Sequence, residues 1–248
     1  MIIQKKGKFK RLDSMKKYLF LDFDGVMFNT LKEAYIICRQ AYRGTDYFEP
    51  IDKAEYNLFY RYKFLVYNSW HYYYIMSLIS KGLNDKEFTE SYYTLLKNRD
   101  LNAESEFDRK YYSAREDLIT NHNEFWNSLE TPFEFCSILS EKNVNIIVSK
   151  KNKAAIKYRL DQYGINIPTD NIYGRDELLN YDSKAEFISE YMTRHNIPEA
   201  FFIDDNSNNL EPCKDYPNIK PFLAGWGNIA IGETGLTVKE IESIINHN

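Results

Sequence analysis

No apolar run in the 248 residues approaches the length of a membrane span, so the sequence offers no candidate transmembrane helix. An apolar segment behind the N-terminal charges is also lacking, which argues against a secretory signal. Cysteine is scarce: Cys38, Cys136 and Cys213 are scattered and odd in number, and form neither a disulfide framework nor a metal-binding spacing. A reducing, cytoplasmic setting is the expectation. There is no basic excess either. Net charge is -4, so nothing global points to nucleic acid as a partner. The basic residues cluster locally in the first seventeen positions (Lys5, Lys6, Lys8, Lys10, Arg11, Lys16 and Lys17), which read as a solvated arm. The four histidines show no metal spacing.

What is present is ordinary globular content, with 44% hydrophobic and 27% charged residues, enough for one large domain or two small ones. The chain is organised around Tyr18 to Thr30. Tyr18–Leu21 reads as a short buried strand that ends in Asp22 and Asp24, with Gly25 turning the chain away. Carboxylates are tolerated at such a strand only where its end opens to water, metal or hydrogen-bonding partners.

Thr30 and Glu33 have the spacing of a capping box, which predicts a helix immediately afterwards. From 31 to 129 nearly everything reads as helix, with breaks near Gly44, Gly82 and 98–102. Thr131, Pro132 and Glu134 predict a further helix start. Strands are then expected at 144–148, 171–173, 200–203 and 221–223. They alternate with helices near 153–163, after Ser183, near Leu210 and after Thr237.

Strands alternating with helices imply an α/β fold, a Rossmann-like parallel sheet whose ligands lie at the carboxyl ends of the strands. The helical section interrupts that sheet after its first strand, as an inserted lid would. The expected division is an arm at 1–17, a core at 18–30 and 130–248, and a helical cap at 31–129. Three strand ends carry polar groups: Asp22 with Asp24, Ser149, and Asp204 with Asp205. Lys184 opens a helix nearby. Four clustered acids repel one another unless a cation joins them, and an oxygen-rich site suits Mg²⁺. A lysine, a hydroxyl and a helix amino end favour an anion beside the metal, which points to phosphoryl chemistry. Lys150 and Lys151, next to Ser149, compete with Lys184 for the lysine's role, although a helix-surface reading suits them better. Arg61, Lys63, Trp70 and His71 are candidate substrate contacts in the helical section, although packing and solvated stems explain them as well.

In order along the chain, Asp22-Phe-Asp24-Gly-Val, Ser149 after a strand, Lys184, and Ile203-Asp-Asp205 resemble the four motifs of the haloacid dehalogenase (HAD) superfamily. The interrupting helices resemble its C1-type cap. The resemblance implies a phosphatase with Asp22 as nucleophile and Asp24 as proton donor and acceptor. Ser149, Lys184 and Gly25 would hold the phosphoryl group, and Mg²⁺ would be bound by Asp22, Asp24 (through its carbonyl), Asp205 and Asp204. The implied substrate is a small phosphorylated metabolite. A phosphomutase of the β-phosphoglucomutase type and a catalytically idle binding protein are the alternatives. This sequence departs from the family pattern at Asn29, at Ala185 after the lysine, and at Asn209, where relatives often carry aspartate, proline and an acid.

Overall fold

The fold was obtained as a computed structural model that describes residues 16–247. Most of the basic arm, from Lys5 to Arg11, lies outside the described residues. β1 (Tyr18–Leu21) is the central strand of a five-stranded sheet. A two-residue strand, β2 (Phe28–Asn29), follows it and leads into α1 (Leu31–Arg43). Then come α2 (Lys53–Tyr62), α3 (His71–Ile79), α4 (Asp85–Lys97), α5 (Leu101–Asn121) and α6 (Asn123–Asn127). β3 (Thr131–Pro132) returns the chain beside β2.

The remainder alternates strand and helix. It comprises β4 (Val144–Val148), α7 (Lys153–Gln162), β5 (Ile172–Tyr173), α8 (Arg175–Leu178) and α9 (Lys184–Arg194). β6 (Ala200–Asp204), α10 (Ser207–Leu210), β7 (Ile219–Leu223) and α11 (Val238–His247) complete it. The sheet order is β5-β4-β1-β6-β7, and all its pairings are parallel.

The two-residue period of a strand divides the apolar runs between the faces of the sheet. Leu19, Leu21, Ile147 and Ile203 point to one face, where Ile156 and Leu160 of α7 and Ile241 and Ile245 of α11 cover them. Phe20, Ile146, Val148 and Phe202 point to the other, beneath Phe187, Ile188 and Met192 of α9. Covered on both faces, these strands need no polar alternation, which is why they read as continuous apolar runs. The six helices α1 to α6 build a separate apolar cluster of their own from Leu31 to Leu129, rich in tyrosine and phenylalanine.

Two predicted helix starts come out differently. α1 begins where the sequence placed it, but Thr30 makes no capping hydrogen bond; the Asn29 carboxamide oxygen accepts from the Leu31 amide at 3.3 Å instead. Thr131 does not cap a helix. It pairs antiparallel with Asn29, and the Phe133 amide donates to the Met27 carbonyl at 2.8 Å. A long-range ladder has overridden a good local capping pattern, and only a short 3₁₀ turn, Glu134–Ile138, follows. The β2–β3 ribbon therefore stands where the chain enters and leaves the helical insertion.

Candidate active site

The parallel sheet delivers its polar strand ends to one mouth. Asp22 directly follows β1, Ser149 directly follows β4, and Asp204 is the last residue of β6. Lys184 is the first residue of α9, whose cap Ser183 accepts from the Glu186 amide at 3.1 Å. Its Nζ lies 2.9 Å from Asp22 Oδ1 and 2.7 Å from Asp204 Oδ2. Carboxylate oxygens of Asp22, Asp204 and Asp205 all come within 4.8 Å of one another, and all three residues are buried.

Their remaining partners distinguish the three acids. Asp204 is saturated: its oxygens accept from the Asn206 amide at 2.9 Å, from Asn209 Nδ2 at 3.0 and 3.1 Å, and from Lys184. Asn209, noted above as a departure, thus braces Asp204. Asp205 Oδ2 accepts from the Asn228 amide at 2.7 Å and its carboxamide at 2.8 Å. Among the described residues, Asp205 Oδ1 and Asp22 Oδ2 accept no hydrogen bond.

The electrostatics follow from that crowding. Burial pushes Asp22 up to about 7 against the pull of Lys184, with Asp204 and Asp205 adding to the rise. Burial, then Asp204, pushes Asp205 up to about 6. Burial opposes the Lys184 charge, yet Asp204 and Asp22 outweigh it and hold its pKa above the usual lysine value. Three acids gathered round Lys184, which pairs with two of them while Lys63 acts on Asp205, have a net demand for positive charge. Two unsatisfied, hard oxygen donors beside that demand fit a hard divalent cation.

Asp24 does not join this cluster through its side chain. It turns away, and Lys151 Nζ lies 3.2 Å from its Oδ1. Lys151 overturns the surface reading: it is 3% exposed. Its ammonium also lies 2.5 Å from Glu130 and 3.5 Å from Glu33. Glu33 in α1 accepts from Arg115 of α5 at 2.9 and 3.1 Å and from the Trp126 indole at 3.0 Å. Glu130 also pairs with Arg159 of α7 at 2.6 Å. Burial opposes ionisation of Glu33, but Arg115 and Lys151 hold its pKa well below the usual carboxylate range. The sequence reading missed Lys151, Glu33, Arg115 and Glu130. One signal for it was available: Glu33 falls in the first turn of a helix that starts at the site.

Gly25 also has a different place. Its amide donates to the Phe28 carbonyl at 2.8 Å within the turn, so it is spent before any phosphate arrives. With φ at +88° and a hypothetical Cβ only 1.9 Å from Asp205 Oδ2, the glycine is required by the turn and by close packing. Ser149 is 1% exposed and lines the site cavity with Asp22, Asp24, Lys184 and Asp205. Lys63, Tyr72 and Arg115 of the insertion close that cavity, whose volume is about 130 Å³. Of the other insertion candidates, Arg61 pairs with Asp85 at the surface. His71 is buried, with Nδ1 2.9 Å from the Tyr92 hydroxyl, and so is a packing residue. Trp70 lines an adjoining cavity.

No protein-family model matches the chain. No curated protein matches it either. Solved structures do. A protein from Lactobacillus delbrueckii subsp. bulgaricus, described provisionally as a phosphoglycolate phosphatase, superposes with a TM-score of 0.62 at 12% identity, covering 92% of this chain and 98% of the other. A predicted phosphatase from Clostridium acetobutylicum gives 0.55 at 17% identity, covering 95% and 100%. A HAD-superfamily hydrolase from Geobacter sulfurreducens gives 0.53 at 11% identity, covering 93% and 96%. The chain has the HAD fold. Among the described residues, no helix is long and apolar enough to cross a membrane.

Proposed function

We propose that the protein is a Mg²⁺-dependent phosphatase that hydrolyses a small phosphorylated metabolite through a phosphoryl group carried on Asp22. The observation that supports this most is the arrangement around Asp22. An acid with one unoccupied oxygen stands between a lysine at 2.9 Å and a second acid with an unoccupied oxygen, at the carboxyl edge of a parallel sheet. In this reading Asp22, Asp205 and the Asp24 carbonyl hold the metal, and Asp204 braces Lys184 in addition to lying close to it. The bound ion would neutralise charge on the phosphoryl oxygens.

The chain's own residues do the rest. One carboxylate oxygen of Asp22 attacks phosphorus while the other stays toward the metal site, a new P–O bond forms, and the bond from phosphorus to the leaving oxygen breaks. Asp24 gives its proton to that oxygen. Lys184 and the Ser149 hydroxyl hold two phosphoryl oxygens. Asp24, now ionised, takes a proton from water, which attacks phosphorus and frees Asp22. Lys151 fixes the Asp24 carboxylate, and residues 31–129 act as the cap that excludes bulk water, hinged at the β2–β3 ribbon. A dehalogenase has no use for the second acid, which favours phosphate chemistry at position 24.

The test is turnover of p-nitrophenyl phosphate with Mg²⁺. Wild-type protein should release phosphate, lose that activity on chelation, and lose at least about 10³-fold in the Asp22→Asn variant. Activity that survives Asp22→Asn would end this reading.

A further inference from the structure

The 130 Å³ site cavity has room for a phosphoryl group and little more, and a second cavity of about 400 Å³ adjoins it. Both are lined by Tyr67, Ser69, Tyr112, Lys150 and Lys184, so the two lie side by side between the insertion and the sheet. Together they reach the scale of about 300–1,000 Å³ typical of small-molecule sites.

The second cavity has a distinctive lining. Tyr67, Trp70, Tyr112 and Tyr181 line it, and cations already lie over two of these rings, with Lys150 Nζ 3.0 Å from the Tyr67 centroid and the Arg99 guanidinium 4.1 Å from the Trp70 centroid. The Arg175 guanidinium stacks on Tyr112 with its carbon 4.4 Å from the ring centroid, and Ser69 Oγ lies 2.9 Å from the Tyr112 hydroxyl. Asp108 sits one turn before Tyr112 on α5, on the same face. Its Oδ1 is buried and has no hydrogen-bond partner among the described residues. An unpaired buried carboxylate oxygen costs about 1–3 kcal/mol or more, so the position is explained when a bound molecule supplies the donor. Burial raises the Asp108 pKa, with a hydrogen bond from Ser69 and the Arg175 charge opposing.

We infer that the second cavity is the leaving-group subsite of the same enzyme, and that it takes the planar base and sugar of a nucleoside monophosphate. The inference rests on the phosphatase reading above. The Arg175 guanidinium plane, already stacked on Tyr112, offers a flat surface to a planar ring, and Asp108 Oδ1 accepts from ring or exocyclic N–H groups. A two-carbon phosphate, as the name of the Lactobacillus delbrueckii neighbour implies for that protein, would end inside the first cavity and leave Asp108 Oδ1 without a donor.

The test measures kcat/KM on the four common nucleoside 5′-monophosphates, glucose 6-phosphate, 2-phosphoglycolate and p-nitrophenyl phosphate, for wild type and Asp108→Ala. A nucleoside monophosphate should be the best substrate. Its advantage over p-nitrophenyl phosphate should fall at least tenfold in Asp108→Ala, chiefly through KM, because the polar partner is lost. If Asp108→Ala melts early, Asp108→Leu makes the same comparison with the side-chain volume kept and no acceptor present. An unchanged ratio in the folded variant, or preference for phosphoglycolate or glucose 6-phosphate, overturns the subsite assignment alone. Absence of turnover on every compound, p-nitrophenyl phosphate included, overturns the phosphatase reading beneath it.

Discussion

Two clusters of buried carboxylates meet near Asp24, and they are balanced differently. At the strand ends, three aspartates crowd together and Lys184 pairs with two of them. Behind them, Glu33 and Glu130 are surrounded by Lys151, Arg115 and Arg159, with Asp24 touching Lys151. The first cluster leaves oxygens open and pushes Asp22 and Asp205 up. The second fills its oxygens and holds Glu33 ionised, although burial pushes its other acid, Glu130, up to about 7 against the pull of Lys151. Burying charge without full compensation destabilises a fold, so an under-neutralised cluster persists where a ligand will complete it. A saturated one joins parts of the chain, here α1, α5, the exit from the insertion and α7.

The contrast is sharpest for paired variants. Asp22→Asn should abolish turnover, as above, while leaving the melting temperature unchanged or raising it, because it relieves repulsion. Lost stability in that variant would erase the distinction between the clusters. Glu33→Gln should do the opposite. It strands Arg115 and Lys151, and chemical denaturation should register a loss of about 3–5 kcal/mol, the usual cost of breaking a buried pair. A Glu33→Gln protein as stable as wild type would show that the second cluster joins nothing.

Ligand completion gives a smaller effect. Mg²⁺ at a hundred times its dissociation constant should stabilise wild-type protein by about 2.7 kcal/mol, seen as a rise in melting temperature. Asp205→Asn should remove most of that rise, whereas Glu33→Gln should retain it. Equal responses in all three proteins would place the cation elsewhere.

The smallest effect is a background to be separated from both clusters. Burial lowers His71 to about 4 from its ordinary value of 6.5. The folded state then resists protonation while the unfolded state accepts it, so stability is full above pH 6.5 and declines as pH falls toward 4. At pH 5.5 the loss is roughly 1 kcal/mol. His71→Asn should flatten this part of the pH–stability curve, and a curve identical to wild type would assign the dependence to other groups.

The difference between the clusters also explains what could be read before the fold was known. Asp22, Asp24, Ser149, Asp204 and Asp205 each follow an apolar run, and a parallel sheet brings such strand ends to one edge whatever the loops do. Lys184 follows a serine that caps a helix. The second cluster offers no such sign. Arg115 is 82 residues from Glu33 and Trp126 is 93 away, so no local pattern announces their contact. Nor could the chain tell Lys150 from Lys151, since one residue of phase decides which lysine turns inward. Thr131 shows the same limit, because its local signal was sound and a partner across the insertion outweighed it.

By itself, then, the sequence determined the order of elements, the parallel sheet and the acids at its edge, since periodicity and capping are properties of neighbouring residues. Only the tertiary structure decided that Asp204 is saturated, that Gly25 packs against Asp205, that Lys151 fixes Asp24, and that Asp108 Oδ1 is buried without a partner among the described residues. Those are matters of which distant groups share a buried space. In such a space, the charge and hydrogen-bond balance of the whole set governs each member.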